Sequence, residues 1–295
     1  MLLNINPQFP VGNAAGWCKS IEEVQRLTQS AASFIVVGSI TLKQRDGNPG
    51  NTFNDETFTG LNSLGLPNPG IEKLEEIGPE MVRIARAAGK PILVSIAASE
   101  PEEFGKLAEC VERIGFDGIE VNLGCPNVVE DGERKKIISY QSDLARACLE
   151  AVLFRVLPGC FVSAKVSPMD PERLYEIASA IRDLPIDAVV TMNTVPNCLS
   201  FRADGKPLID TPDKTGYAGG SGQQVFAQAL GQVNQWRRAL PTDIAVWGAG
   251  GIQSGDAVRQ MHLAGASVMQ VGTAYMVYGA KVFGDIAAQS INEEN

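Results

Sequence analysis

No two of the six cysteines, Cys18, Cys110, Cys125, Cys148, Cys160 and Cys198, form a Cys-x-x-Cys pair. The chain therefore shows no framework for a zinc site or an iron–sulfur cluster, and no metal is expected. Cysteines scattered in this way suit reduced thiols in a cytoplasmic protein. Histidine is nearly absent: His262 is the only one and lies in a late helical pattern, which leaves a protease-like Cys–His pair without its second member. Positive charge is in deficit, with 25 Lys and Arg against 34 Asp and Glu and a formal net charge of -9. Such a surface repels phosphate backbones, so nucleic acid is a poor partner, although a few local donors can still hold a small anion. The longest apolar runs are only strand-length, and the start, Met1 to Pro7, has no basic n-region. Neither a membrane span nor a signal peptide is expected. There is no internal repeat, no low-complexity tract and no compositional break, so residues 1–295 read as one domain.

What is present is a large apolar content, 44% hydrophobic against 20% charged, enough for a sizeable core. Eight short apolar runs recur: Val11 to Ala14, Ile35 to Val37, Ile92 to Ile96, Gly118 to Leu123, Phe161 to Val166, Ala188 to Met192, Ile244 to Trp247 and Val268 to Val271. Nearly continuous apolarity marks parallel strands buried on both faces. Amphipathic stretches separate them. Ser20-Ile21-Glu22-Glu23 carries a capping-box signature, and further helices are predicted from near Gly70, Glu100, Gln141, Asp170, Gly222 and Ser254, with a last one over 274–290. The alternation predicts an α/β fold, a (β/α)8 TIM barrel of a single domain, with a doubly wound sheet as the alternative. Two polar inserts, 41–68 and 201–217, follow strand ends and so belong on the face where barrels carry their sites.

Polar residues and glycines recur where each apolar run stops: Gly38-Ser39, Asn122 and Cys125, Lys165, Asn193-Thr194, Gly248 to Gly251, and Gly272-Thr273. In a barrel these ends converge on one mouth, which makes them a site hypothesis. Gly250-Gly251, Gly272-Thr273 and the helix begun near Ser254 suit a phosphate, since backbone amides and a helix start attract anions. Gly222, before another helix, can add donors. Tight turns with no ligand are the plain alternative.

Lys165 ends an apolar strand, where an unpartnered ammonium is costly. It suits a Schiff-base nucleophile, a cation facing an electron-rich cofactor ring, or half of an ion pair. Cys110, Cys148 and Cys160 sit in helix or strand patterns, as inert small hydrophobes do. Cys125 differs: it follows a strand on a loop between Asn122 and Asn127, among amides that can bind a planar polar substrate without adding charge.

Asn122-Leu123-Gly124-Cys125-Pro126-Asn127, Gly47-Asn48-Pro49, Leu61 to Asn68, Lys165, Asn193-Thr194 and Gly250-Gly251 together resemble the dihydroorotate dehydrogenases, collinearly from about Gly12 to Tyr278. The resemblance implies an FMN-containing barrel oxidoreductase of pyrimidine biosynthesis that oxidises dihydroorotate to orotate. Carried over by position, Cys125 is the base at C5, and hydride passes from C6 to flavin N5. Substrate would be held by Lys19, Asn62, Leu64, Gly65, Leu66, Asn122, Asn127, Asn193 and Thr194. The flavin would be held by Ala14, Ala15, Gly16, Lys19, Gly38, Ser39, Asn62, Asn122, Lys165 and Met192, and its phosphate by Gly222, Gly250, Gly251, Gly272 and Thr273.

Cysteine as base resembles the soluble class 1 enzymes, as does the lack of the N-terminal extension typical of the membrane-associated class 2. Class 1 enzymes usually carry a lysine where this chain has Gly38. Val37-Gly38-Ser39 and Ala14 to Lys19 are class 2-like, and Lys19 is expected to supply the cation that Gly38 cannot. The polar stretch 128–140 is expected to act as a lid. The resemblance further implies a homodimer. The electron acceptor stays open between fumarate, a quinone and an electron-transfer subunit reaching NAD. A related flavin enzyme acting on another dihydropyrimidine or on tRNA is the nearest alternative, and a flavin-free phosphate-binding barrel, silent or a lysine-dependent aldolase, the more distant one.

Overall fold

The computed structural model describes residues 3–54, 56, 58–125, 129–130, 133–134 and 136–292. Eight parallel strands make one sheet: β1 (Val11–Asn13), β2 (Ile35–Ile40), β3 (Ile92–Ile96), β4 (Gly118–Asn122), β5 (Phe161–Val166), β6 (Ala188–Thr191), β7 (Ala245–Ala249) and β8 (Val268–Val271). Their hydrogen-bonded order is β1-β8-β7-β6-β5-β4-β3-β2, so each strand lies beside the next in the chain. Only β1 and β2 lack a backbone ladder. There the buried Asn13 side chain closes the gap, donating to the Val36 carbonyl at 2.7 Å and accepting from the Val36 amide at 3.0 Å.

Helices α1 (Ile21–Thr28), α2 (Gly70–Ala87), α3 (Pro101–Ile114), α4 (Ser142–Leu153), α5 (Pro171–Ile181), α6 (Phe226–Ala239) and α7 (Gly255–Ala264) lie between successive strands. Their starts follow local chemistry. The Ser20 side chain accepts from the Glu23 amide while the Glu23 carboxylate takes the Ser20 amide, the capping box expected from the sequence. Asp170 caps α5, with Pro171 in its first turn, and Ser254 caps α7. The predicted last helix is instead two, α8 (Thr273–Tyr278) and α9 (Lys281–Asn292). Gly279 separates them at φ +69°, a conformation that ends a helix and that glycine adopts without steric cost.

Strand side chains alternate between the helix layer and the barrel interior. The lower interior is an apolar plug in which Trp247 stacks on Phe161 (ring centroids 5.1 Å apart) and leans on Phe34 (5.3 Å). Gly12 makes room for it, since a Cβ there would lie 2.7 Å from the Phe34 ring. One step along the alternation, β4, β5 and β8 present Glu120, Ser163 and Gln270, all buried. A further step brings Asn122 and Lys165 to the mouth, in register with each other across β4 and β5. The interior thus changes from apolar to polar toward the strands' C-terminal ends.

The two inserts contribute to structure that their composition does not announce. Strands Phe53–Asn54, Gly60–Asn62, Val195–Cys198 and Ala218–Ser221 form a separate antiparallel sheet, with Gly219 opposite Asn62. Among the described residues, no helix is long and apolar enough to cross a membrane.

Candidate active site

A cavity opens at the C-terminal ends of the barrel strands, with an empty volume of about 1200 Å³ including its mouth.

Lys165 is at its floor, 5% exposed. Its ammonium donates to Gln270 Oε1 at 3.0 Å and lies 3.4 Å from Glu120 Oε1, while Gln270 Nε2 donates to Glu120 Oε2 at 2.6 Å. Of the three readings the sequence leaves open for Lys165, the ion pair is present, and the lysine still borders the cavity.

Beside the floor runs a chain of short polar side chains. Ser95 and Ser39 hydroxyls are 2.9 Å apart, Asn122 Nδ2 donates to Ser39 Oγ at 3.0 Å, and Asn193 Nδ2 donates to Asn122 Oδ1 at 3.0 Å. The Thr194 amide donates to Asn193 Oδ1 at 2.9 Å. Each carboxamide is locked in orientation by its neighbours, which fixes where its remaining hydrogen-bonding capacity points.

Cys125 sits half-buried three residues beyond Asn122, on the cavity wall. Its loop is pinned from behind. Leu123 N donates to the Lys165 carbonyl at 2.9 Å, Gly124 N to Asn122 Oδ1 at 3.2 Å, and Ser167 Oγ to the Gly124 carbonyl at 2.8 Å. A Cβ on Gly124 would be 2.6 Å from the Ser167 amide, so the loop lies against β5 without room for a side chain. His262 borders a different cavity, with Phe9, Asp187 and Trp247, and plays no part here.

Across the mouth, Lys19 Nζ donates to the Pro67 carbonyl at 2.5 Å. Burial pushes the ammonium's pKa down to about 8, against an opposing pull from the Glu23 carboxylate. Glu23 is itself engaged by the Lys19 amide at 2.6 Å. The turn Leu64-Gly65-Leu66-Pro67 forms this wall, braced by Arg45 on the Gly65 carbonyl (3.2 Å) and by the Asn48 amide on the Leu64 carbonyl (2.9 Å). Trp17 and Phe53, packed edge to face at 5.1 Å, continue it.

The far end is glycine-rich. Gly222, Gly250, Gly251, Gly272 and Thr273 all border it, and Thr273 Oγ1 donates to Ser221 Oγ at 2.9 Å. Gly251 has φ +73°, and a Cβ there would meet Phe226 Cβ at 2.8 Å and the Gly222 carbonyl at 3.0 Å. The helix that starts here is α8, whose Thr273 and Ala274 border the cavity. The expectation that the helix after Ser254 serves this end is not met. The Gly255 amide is taken by Gln289 Oε1 (3.0 Å) and the Ala257 amide by Ser254 Oγ (3.2 Å), and Gly255 borders the other cavity.

Of the residues predicted from sequence, Ala14, Ala15, Gly16, Lys19, Ser39, Asn62, Leu64, Gly65, Leu66, Asn122, Cys125, Lys165, Met192, Asn193, Thr194, Gly222, Gly250, Gly251, Gly272 and Thr273 share this one cavity. Gly38 does not line it. It accepts from the Gly16 amide at 2.6 Å and donates to the Cys18 carbonyl at 2.8 Å, and at φ +105° a Cβ there would collide with the Ser95 carbonyl. Asn127 lies outside the described residues, as do Val128, Asp131, Gly132 and Lys135 of the expected lid. The lid's far end, Ile138–Tyr140, is tied down by Ser139 N on the Leu123 carbonyl (2.9 Å) and Tyr140 OH on the Pro168 carbonyl (2.7 Å). Gln270 and Glu120 are among the residues that sequence reasoning missed, as are Phe53 and Ser221 on the cavity wall.

The family model of dihydroorotate dehydrogenase matches residues 1–293. The chain belongs to the dihydroorotate dehydrogenase family. It is 32% identical over 286 residues to the dihydroorotate dehydrogenase (fumarate) of Saccharomyces mikatae, covering 95% of this chain and 88% of that one. It is 32% identical over 281 residues to the enzyme of the same name from Trypanosoma brucei brucei, covering 93% and 86%. With dihydroorotate dehydrogenase A (fumarate) of Lactococcus lactis it shares 30% identity over 285 residues, 94% and 88% of the two chains. In fold it is similar to the crystal structure of the Eimeria tenella enzyme in complex with ferulenol, with TM-score 0.79 and 21% identity over 99% of this chain and 84% of that one. Like its family, the chain is an FMN-dependent oxidoreductase that oxidises dihydroorotate in pyrimidine biosynthesis. The cavity fits that cofactor: a cation at the floor suits a ring that gains negative charge, and the side-chain-free cradle at Gly250-Gly251 and the start of α8 suits a phosphate.

Proposed function

We propose that Cys125 is the base of dihydroorotate oxidation and removes the C5 proton, with fumarate as the final electron acceptor. The observation that carries this reading is the convergence of Cys125, Asn122, Asn193, Lys165 and Lys19 on one cavity from the ends of four different barrel strands and the loops after them. FMN, when bound, supplies the acceptor for the hydride leaving C6. Lys165 faces it from the floor and offsets the charge it gains. Asn62, Asn122, Asn127, Asn193 and Thr194 hold the pyrimidine by hydrogen bonds. The turn Leu64 to Leu66 and the Lys19 ammonium receive the substrate carboxylate, so that Lys19 supplies from β1 the cation that β2 has no room for at Gly38. Gly222, Gly250, Gly251, Gly272 and Thr273 hold the cofactor phosphate, and Ala14, Ala15, Gly16, Ser39 and Met192 pack around the ring.

Fumarate is favoured as the acceptor by the names of the yeast, trypanosome and lactococcal relatives. We further propose a homodimer in the cytoplasm that needs no electron-transfer subunit. The exposed Leu199 and Phe201 offer an apolar surface for a second copy, and the dispersed cysteines suit a reducing compartment. Sedimentation equilibrium tests the dimer, and cell fractionation its compartment.

The deciding experiment is anaerobic mixing of Cys125→Ala with dihydroorotate. The variant is expected to keep its bound FMN and its absorption near ~450 nm, and to lose flavin reduction. Reduction at the wild-type rate would remove Cys125 from the role. Reoxidation of the reduced wild-type enzyme with fumarate, a quinone or NAD identifies the acceptor.

A further inference from the structure

Glu120, Gln270 and Lys165 come from three different strands, β4, β8 and β5, and meet inside the barrel, with exposures of 0%, 1% and 5%. The Gln270 carboxamide is oriented by the charges on either side of it: its oxygen faces the Lys165 ammonium at 3.0 Å and its nitrogen the Glu120 carboxylate at 2.6 Å. The other Glu120 oxygen, Oε1, has no hydrogen bond and lies 3.4 Å from the ammonium. Two ionised groups so deeply buried are costly unless each faces a countercharge. Lys165 and Gln270 border the cavity, and Glu120 does not: it lies one step deeper along the strand alternation.

We infer that Glu120 is a positioning residue for the redox step: acting directly and through Gln270, it holds the Lys165 ammonium in place at the cavity floor, toward the flavin. The inference rests on the proposal that Lys165 faces the cofactor. Glu120 touches neither the cavity nor the reacting atoms. Its effect reaches them through the ammonium, because a buried lysine without the carboxylate and amide that hold it turns toward water, which removes positive charge from the cavity floor. The titratable side chains that share the cavity with Lys165 are Lys19 and Cys125, on β1's side of the mouth and beyond β4. The measurement is therefore a difference between variant and wild type at one pH, where both remain in place.

The test is the midpoint potential of bound FMN in Glu120→Gln, which has the same shape without the charge. The preference for reduced over oxidised FMN should fall about tenfold, equivalent to ~30 mV toward the negative for a two-electron couple. Glu120→Asp should restore part of it. An unchanged potential overturns the inference, as does a positive shift, which would mean that Lys165 stays in place without its partner. A merely structural role would lower the melting temperature and leave the potential of the folded protein alone. Should Glu120→Gln not fold, Gln270→Leu carries the test, because it keeps both charges and removes the bridge. A smaller shift of the same sign supports the inference, and an unchanged or higher potential overturns it. Failure of the parent reading looks different: if Lys165 does not face the flavin, Lys165→Met also leaves the potential unmoved.

Discussion

Asn13 and Val36 exchange two hydrogen bonds, side chain to backbone, at the only seam of the barrel where two strands lack a ladder. A carboxamide here does the work of a missing backbone pair. Asn13→Leu should leave the Val36 amide and carbonyl buried without partners, at about 1–3 kcal/mol for each group. Chemical denaturation should show the loss as a lower midpoint with an unchanged slope. Because β1 leads directly into Ala14, Gly16 and Lys19 on the cavity wall, weaker FMN retention should accompany it.

If Lys19 receives the substrate carboxylate as proposed, ligand binding depends on pH. Its ammonium is intact below its pKa of about 8 and neutral above it. A carboxylate bound against it is favoured by the charged form, so affinity is greatest below that pH and falls as pH rises through it. The dissociation constant of orotate, read from the change in flavin absorption, should rise above pH 8, by at most about tenfold per unit. Lys19→Met should bind weakly with no such rise. A wild-type profile flat from pH 7 to about 9.5 would separate Lys19 from the carboxylate.

Asn122 is the hub of the amide network, contacting Ser39, Asn193 and the Gly124 amide. Asn122→Ala removes all three and frees the loop that carries Cys125. Losing two to three buried hydrogen bonds at about 1 kcal/mol each predicts a fall in kcat/KM of roughly thirty- to a hundred-and-fiftyfold. Asn193→Ala breaks one link at the edge of the network and should cost less. Equal losses in the two variants would mean that the network does not orient the loop.

The barrel was legible because its strands are buried on both faces: runs such as Ile92 to Ile96 and Phe161 to Val166 carry no competing pattern. Capping residues were legible too, since Ser20, Asp170 and Ser254 act on amides three positions away. The antiparallel sheet over the inserts was not. Its strands span two to four residues, among them Ala218 to Ser221 with two glycines, and the pairing that joins its two halves, Gly219 with Asn62, reaches across more than a hundred residues, so no local signal marks the sheet. The site was readable wherever a polar residue stood at the end of an apolar run, as with Asn122, Lys165 and Thr273. Gly38 met the same criterion, but its backbone turns it toward Ser95 and away from the cavity. Glu120 was hidden by lying inside a run, and Gln270 likewise within Val268 to Val271. A carboxylate in the middle of a doubly buried strand was the signal available, because such a charge needs a cation, and Lys165 on the neighbouring strand is one.

Gly251 tests the phosphate cradle. At φ +73° a β-branched residue is strained, and its Cβ would press on Phe226 and on the carbonyl of Gly222, itself part of the cradle. Gly251→Val should lower stability by about 1–3 kcal/mol through the backbone alone. It should also weaken FMN binding by tenfold or more, because pushing Gly222 outward moves amides that a phosphate needs at hydrogen-bond distance. Gly205 is the control: it shares the left-handed conformation at φ +79°, but a Cβ there meets nothing within 4 Å. Gly205→Val should therefore show the stability loss without the loss of FMN, read by fluorescence titration of the apoprotein. If both variants bind FMN equally well, the phosphate is held elsewhere than at Gly250-Gly251 and the start of α8.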